Sequence, residues 1–174
     1  MHGSIARTVT AFIREAGCKV TSEEVVPELL AGEPGTEEAV EARLNLHIWS
    51  PGPCPAEWWL DVTHRHPWAK RSQASSAHAG RVAQEAEEVK HRRYGDFRGG
   101  VSVTPAAMEA WSRSGGHFER FLRQLEARWA WNCQADAASA AALGRRWRAE
   151  LGLAQVRALQ VSFGRATLMT GTGA

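Results

Sequence analysis

The sequence predicts an α/β fold in which a mixed sheet is flanked by helices. An amphipathic segment opens the chain, and two later segments alternate apolar and polar residues, as half-buried strands do. A second amphipathic segment then precedes a short strand, and the rest of the chain has helical periodicity. The predicted order is therefore one helix, three strands, one helix, one strand and a helical extension.

Length and composition are those of an ordinary globular domain. The chain has 174 residues, of which 44% are hydrophobic and 23% charged, and its formal net charge of +2 does not by itself indicate a nucleic-acid partner. The N-terminus does not resemble a signal peptide, and no apolar run is long enough to span a membrane. The three cysteines are widely spaced and lack a CxxC motif, so we expect them to be reduced and the protein to be intracellular, without a membrane partner.

The first helix is predicted from apolar residues that recur on one face and from a glycine that ends it. These residues are Ile5, Val9, Phe12, Ile13 and Gly17. A strand at 19–26 follows. We divide the chain into an α/β core at 1–115, a helical extension at 116–168 packed on or beside the core, and a frayed tail at 169–174.

Two strands are predicted most clearly, in the segments RLNLHIW and WWLDVTH. In both segments apolar residues alternate with polar ones. The apolar residues are Leu44, Leu46, Ile48, Trp58, Leu60 and Val62. A loop of about eight residues joins the two segments, so we expect antiparallel pairing. Asn45 and Asp61 occupy polar positions on these strands, and we expect them to lie near each other.

The next predicted helix covers residues 77–94. Its apolar face includes Ala79, Val82, Ala83, Ala86 and Val89, whose small members allow close approach to a sheet. Lys90 lies at the edge of this face, whereas the acidic stretch 85–88 has the character of mixed, solvated surface. A short strand at VSVTP, a helix at AAMEAWSRSG, a helix after residue 116 and two helices around 135–151 and 153–168 complete the prediction.

Taken in order, these segments resemble the restriction-endonuclease-like, PD-(D/E)XK domain of site-specific non-LTR retrotransposons, which is associated with their reverse transcriptase. The resemblance covers residues 2–115. His2 precedes the first helix, RLNLHIW lies where the family has its PD strand, WWLDVTHRHP supplies Asp61, EEVKHRRYG supplies Lys90, and VSVTPAAMEAWSRSG resembles the segment after the last strand. This resemblance implies a restriction-endonuclease-like core with the order αβββαβ.

The resemblance also implies DNA nicking that depends on Mg²⁺ or Mn²⁺. Two carboxylates on adjacent strands would hold the hard cation, which lowers the pKa of a bound water. Asp61 and Asn45 occupy these positions, and Lys90 would supply the catalytic cation from the helix, because Thr63 leaves the strand motif D-x-K incomplete. Asn45 stands where the family has an aspartate. We therefore expect a weakened metal site and impaired cleavage, as in a degenerate or truncated copy.

The partner implied by the resemblance is DNA, together with an upstream reverse-transcriptase region of the same polyprotein. We expect a nuclear location if the retroelement is eukaryotic. The candidate DNA-binding residues come from the helix motif and from a basic pair before it, and they are Arg92, Arg93, Tyr94, Lys70 and Arg71.

Other interpretations stay open. In one alternative the chain is a non-catalytic remnant that keeps the fold and some DNA contact. In another it is an unrelated α/β interaction module. Asp61 is in that case a surface carboxylate and Lys90 a solvated helix residue. A zinc site formed by Cys54, His64 and His66 is conceivable, although their spacing fits no standard ligand pattern.

Overall fold

The computed structural model describes residues 2–25, 43–50, 56–65, 78, 80–94, 103–109 and 113–170. Their helices and strands follow one another as α1 (His2–Glu15), β1 (Lys19–Val25), β2 (Arg43–Ser50), β3 (Ala56–Arg65), α2 (Arg81–Tyr94), β4 (Val103–Glu109), β5 (Arg113–Ser114), α3 (Gly116–Cys133) and α4 (Ala137–Thr170). None of these helices is long and apolar enough to cross a membrane.

The described strands form one five-stranded mixed sheet in the order β1-β2-β3-β4-β5. β3 and β4 pair in parallel, and the other neighbours pair antiparallel. A parallel pair needs a crossover connection, and α2 lies within the connection between β3 and β4. The predicted α/β fold is confirmed at this level, as is the antiparallel pairing of β2 with β3, in which Leu46 lies opposite Leu60.

The main core fills the space between one face of the sheet and the helices α1, α3 and α4. Successive side chains on a strand point to opposite faces, so the even-numbered residues of β2 and β3 share this face. The core includes Ile5, Val9, Ile13, Leu46, Ile48, Leu60, Val62, Phe118, Phe121 and Trp147. Its α3 and α4 members show that the helices after residue 116 complete the same core.

The opposite face of the sheet is covered by α2 where β3 and β4 lie. Ala83 and Ala86 of α2 form a small buried cluster with Ala107 of β4. Because these side chains are short, the helix main chain approaches the sheet closely. This close approach brings the longer side chains at the C-terminal end of α2 onto β3.

Three predictions about individual segments are wrong. Val89 is 50% exposed, because it lies beyond the edge of the buried arc of α2. The stretch after VSVTP continues β4 to Glu109 instead of forming a helix. Ala107 and Met108 are both buried, because both faces of this strand are covered. A strand that is buried on both faces shows no alternation of apolar and polar residues in its sequence. The two helices expected at 135–151 and 153–168 form the single helix α4, which tolerates Gly152 in its interior.

Candidate active site

Asp61 lies near the middle of β3 and points toward α2. Its neighbours Leu60 and Val62 belong to the main core, so the alternation of the strand turns Asp61 to the opposite face. On that face it is only 4% exposed. A carboxylate buried this deeply requires hydrogen-bond donors or a cation close by.

Two side chains of α2 provide these donors. Lys90 and Tyr94 are four residues apart and therefore lie on one face of the helix. The Lys90 ammonium donates a hydrogen bond to Oδ2 of Asp61, and the Tyr94 hydroxyl donates to the same oxygen over 2.6 Å. The structure thus brings together Asp61 and Lys90, the two residues that the sequence pattern pairs as ligand and catalytic cation.

The three side chains form a compact charged cluster with little access to solvent. Only 19% of the Lys90 side chain and 6% of the Asp61 side chain are exposed. At this depth the ammonium offsets the cost of taking the carboxylate out of water, and the phenol satisfies a further lone pair. Removal of either donor would leave a buried charge less well compensated.

Asn45 lies on the strand next to Asp61. In the antiparallel pairing of β2 with β3, Leu46 lies opposite Leu60. If this register is continued by one residue, Asn45 lies opposite Asp61. The residue is half-buried, and its side-chain Oδ1 is buried without a hydrogen-bond partner among the described residues. Buried polar atoms are nearly always paired, so this amide oxygen is suited to a cation or water as its partner.

Aromatic residues on β2 and β3 extend this face of the sheet away from α2. The His47 ring stacks on Trp59 with 3.8 Å between the ring centroids, and its Nε2 lies 2.8 Å from Oε1 of Glu57. Trp49 is exposed, and the Lys19 ammonium lies over its ring. The alternation of the two strands predicts the shared face, but not the stacking of these side chains.

Glu87 is a buried carboxylate, whereas the sequence predicts mixed, solvated surface for the acidic stretch 85–88. It lies one turn before Lys90 and accepts hydrogen bonds from the main-chain N–H groups of His117 at 2.8 Å and Phe118 at 2.9 Å. It also accepts a longer bond from Ala107 of β4. Burial raises its pKa, although the hydrogen bonds oppose this effect. Glu87 thereby fixes α2 to α3 and β4, and it positions Lys90 over β3.

The residues expected to contact DNA are less fully described. Arg92 is exposed on α2, whereas Tyr94 is buried against Asp61. Arg93 belongs to α2, but its side chain is outside the described part of the chain, as are Lys70 and Arg71 altogether. Their assignment to DNA binding stays a prediction.

The donor set suits a hard divalent cation only in part. Within the described ranges, no group of three or more histidine, cysteine or acidic side chains is placed to hold a metal ion. Asp61 and Asn45 offer oxygen atoms, which Mg²⁺ prefers, but they carry a single negative charge between them. Of the conceivable zinc ligands, His64 is half-buried on β3, and Cys54 and His66 lie outside the described residues.

Comparisons with protein-family models, with curated proteins and with solved structures find no match for this chain. The resemblance to retrotransposon endonucleases therefore rests on the motifs of the chain and on the side chains just described.

Proposed function

We propose that this chain is a restriction-endonuclease-like DNA-nicking domain of a retroelement, with a metal site weakened by Asn45. The observation that carries the proposal is the contact of Lys90 with Asp61. A nuclease of this kind needs a cation beside its metal-binding carboxylate, and Thr63 does not supply one from the strand. A lysine from α2 reaches the required carboxylate instead.

The chemistry proposed is hydrolysis of a phosphodiester bond. A bound Mg²⁺ or Mn²⁺, held by Asp61 and Asn45, would act as a Lewis acid and would lower the pKa of a water nucleophile. The Lys90 ammonium would stabilise the negative charge that develops on the phosphate oxygens. Tyr94 would hold the Asp61 carboxylate in one orientation, and Glu87 would hold the helix that carries both residues.

Asn45 limits this chemistry. An amide oxygen can contact a cation, but it contributes no charge to the site. Mg²⁺ gives up its hydration water reluctantly, so one carboxylate and one amide would hold it weakly. We therefore expect cleavage by this chain to be slow or absent.

A second candidate function is that of a non-catalytic remnant, a DNA-contacting or protein-contacting α/β module. It is favoured by the way in which both donors of α2 contact the same oxygen of Asp61. A buried Asp–Lys–Tyr cluster of this kind attaches a helix to a sheet without any need for a metal. The loss of the second carboxylate at position 45 agrees with this function.

Nicking of supercoiled plasmid in Mg²⁺ or Mn²⁺ distinguishes the two candidates. We expect Asn45→Asp to raise nicking above that of the wild-type chain, and Asp61→Ala in the same background to remove the gain. Gln124→Glu, which converts an exposed amide of α3 to a carboxylate, is the matched control and should change nothing. If Asn45→Asp nicks no more than this control, the remnant is the better account; strong nicking by the wild type would show that Asn45 does not impair the site.

A further inference from the structure

A cleft of about 350 Å³ separates α1 from β1, the edge strand of the described sheet. One wall is a stripe of α1 residues spaced by three or four positions, which places them along one side of the helix. The described residues that line the cleft are Gly3, Ala6, Arg7, Thr10, Arg14, Val20, Thr21, Ser22, Asn45 and Leu46.

The described residues that line this cleft carry positive charge. Arg7 and Arg14 are both exposed, and neither forms an ion pair among the described residues. No carboxylate is among the described lining residues. In contrast, Arg146 and Arg148 of α4 are each paired with acidic side chains. Among the described residues, no acidic side chain therefore competes with a ligand for the guanidinium groups of Arg7 and Arg14.

The spacing and chemistry of the cleft suit an extended anion. Two helix positions seven residues apart lie about 10 Å from each other along the axis. Thr10 on α1 and Ser22 on β1 are polar lining residues between and opposite the two arginines. Guanidinium groups bind phosphate in a bidentate manner, and repeated phosphates along a strand match two separated arginines better than one compact anion does.

We propose that this cleft binds the sugar–phosphate backbone of DNA, as a contact surface separate from the candidate active site. The inference rests on the proposed function, because DNA is the substrate of that function. Asn45 lines the cleft from β2, the strand next to the one that carries Asp61. Helix α1 lies on the main-core face of the sheet and the Asp61 carboxylate points to the opposite face, so the cleft would hold a stretch of backbone away from the bond that is cut.

The test is binding of a fluorescent DNA duplex, measured by anisotropy in EDTA over a range of salt concentrations, so that no cleavage occurs. We expect Arg7→Gln/Arg14→Gln to weaken binding about tenfold or more at low salt. The plot of log K, where K is the association constant, against log salt concentration should become less steep by about 2. Each lost phosphate contact reduces the magnitude of this slope by about 0.9. Arg7→Lys/Arg14→Lys should preserve the slope.

The matched control is Arg123→Gln/Arg145→Gln, which removes the same charge from exposed positions on α3 and α4. An equal loss of affinity in this control would overturn the inference, as would undetectable DNA binding by the wild-type chain. Polyglutamate and unlabelled DNA should also be compared as competitors of the labelled duplex. If polyglutamate competes as well as DNA does, the occupant of the cleft is an acidic protein, and the inference is overturned. Failure of the proposed function is distinguishable, because a chain that never nicks can still show the arginine-dependent salt slope.

Discussion

The Tyr94 hydroxyl donates a 2.6 Å hydrogen bond to Oδ2 of Asp61, across 33 positions of the chain. Both residues are buried, so neither group exchanges this partner for water at low cost. The bond connects the last residue of α2 to the middle of β3 and restrains the carboxylate that we propose as a metal ligand.

Tyr94→Phe should lower the free energy of unfolding by about 1.5–3 kcal/mol, the range for a hydrogen bond to a charged group. Urea denaturation measures the change. The matched test is the same substitution in an Asp61→Asn background, where the acceptor has lost its charge and the cost should be smaller. An equal cost in both backgrounds would mean that the Tyr94 hydroxyl stabilises the fold independently of the charge on Asp61.

Glu87→Gln should change how stability depends on pH. Burial raises the pKa of Glu87 above its ordinary value of 4.5, so the folded state binds a proton more readily than the unfolded state. This group therefore makes the wild type lose stability as the pH rises from about 4.5 through the raised pKa. The variant should show a smaller loss over that interval, as measured by urea denaturation at successive pH values.

The comparison for this prediction is Glu88→Gln, at an exposed position one residue later. We expect that variant to follow the wild-type pH profile. If Glu87→Gln also follows it, the carboxyl group of Glu87 does not titrate differently in the folded and unfolded states.

Gly115→Ala should destabilise the protein by about 1–3 kcal/mol, because a methyl group there would overlap the buried Glu87 carboxylate. Gly116→Ala is the control, since a methyl group at that position would meet no atom of another described element within 4 Å. Thermal unfolding of the two variants measures the difference. Equal stability would show that Glu87 can move away from α3 without cost.

Leu60→Ala should cost about 2–5 kcal/mol, because Leu60 is fully buried in the main core. Leu153→Ala, which truncates the same side chain at a position that is 55% exposed on α4, should change stability by less than about 0.5 kcal/mol. Chemical denaturation of both variants tests the assignment of β3 to the centre of the sheet. A negligible cost at Leu60 would contradict it.

The sequence predicts β2 and β3 well because one face of each strand is apolar and the other polar. Their antiparallel pairing follows from the short loop, and the position of Lys90 follows from the helical period of α2. Glu87 is different: its burial depends on main-chain donors about thirty positions later, at His117 and Phe118. A local pattern of acidic residues carries no information about such distant donors.

The cleft along α1 escaped prediction for a related reason. Amphipathic periodicity identifies the apolar face of a helix, and it treats the polar face as solvent-exposed. Arg7 and Arg14 are indeed exposed, but the neighbouring edge strand converts their side of the helix into a concave surface. Only the docking of α1 beside β1 produces that shape.

The parallel pairing of β3 with β4 has a consequence for the order of folding. A hairpin can close locally, but these two strands meet only after the chain between them has crossed over, with α2 in place. Such distant contacts form slowly, because the entropy of closing a long loop must be lost first. Asp61 and its helix partners belong to this crossover, so we expect the charged cluster to form later than the antiparallel pairing of β2 with β3.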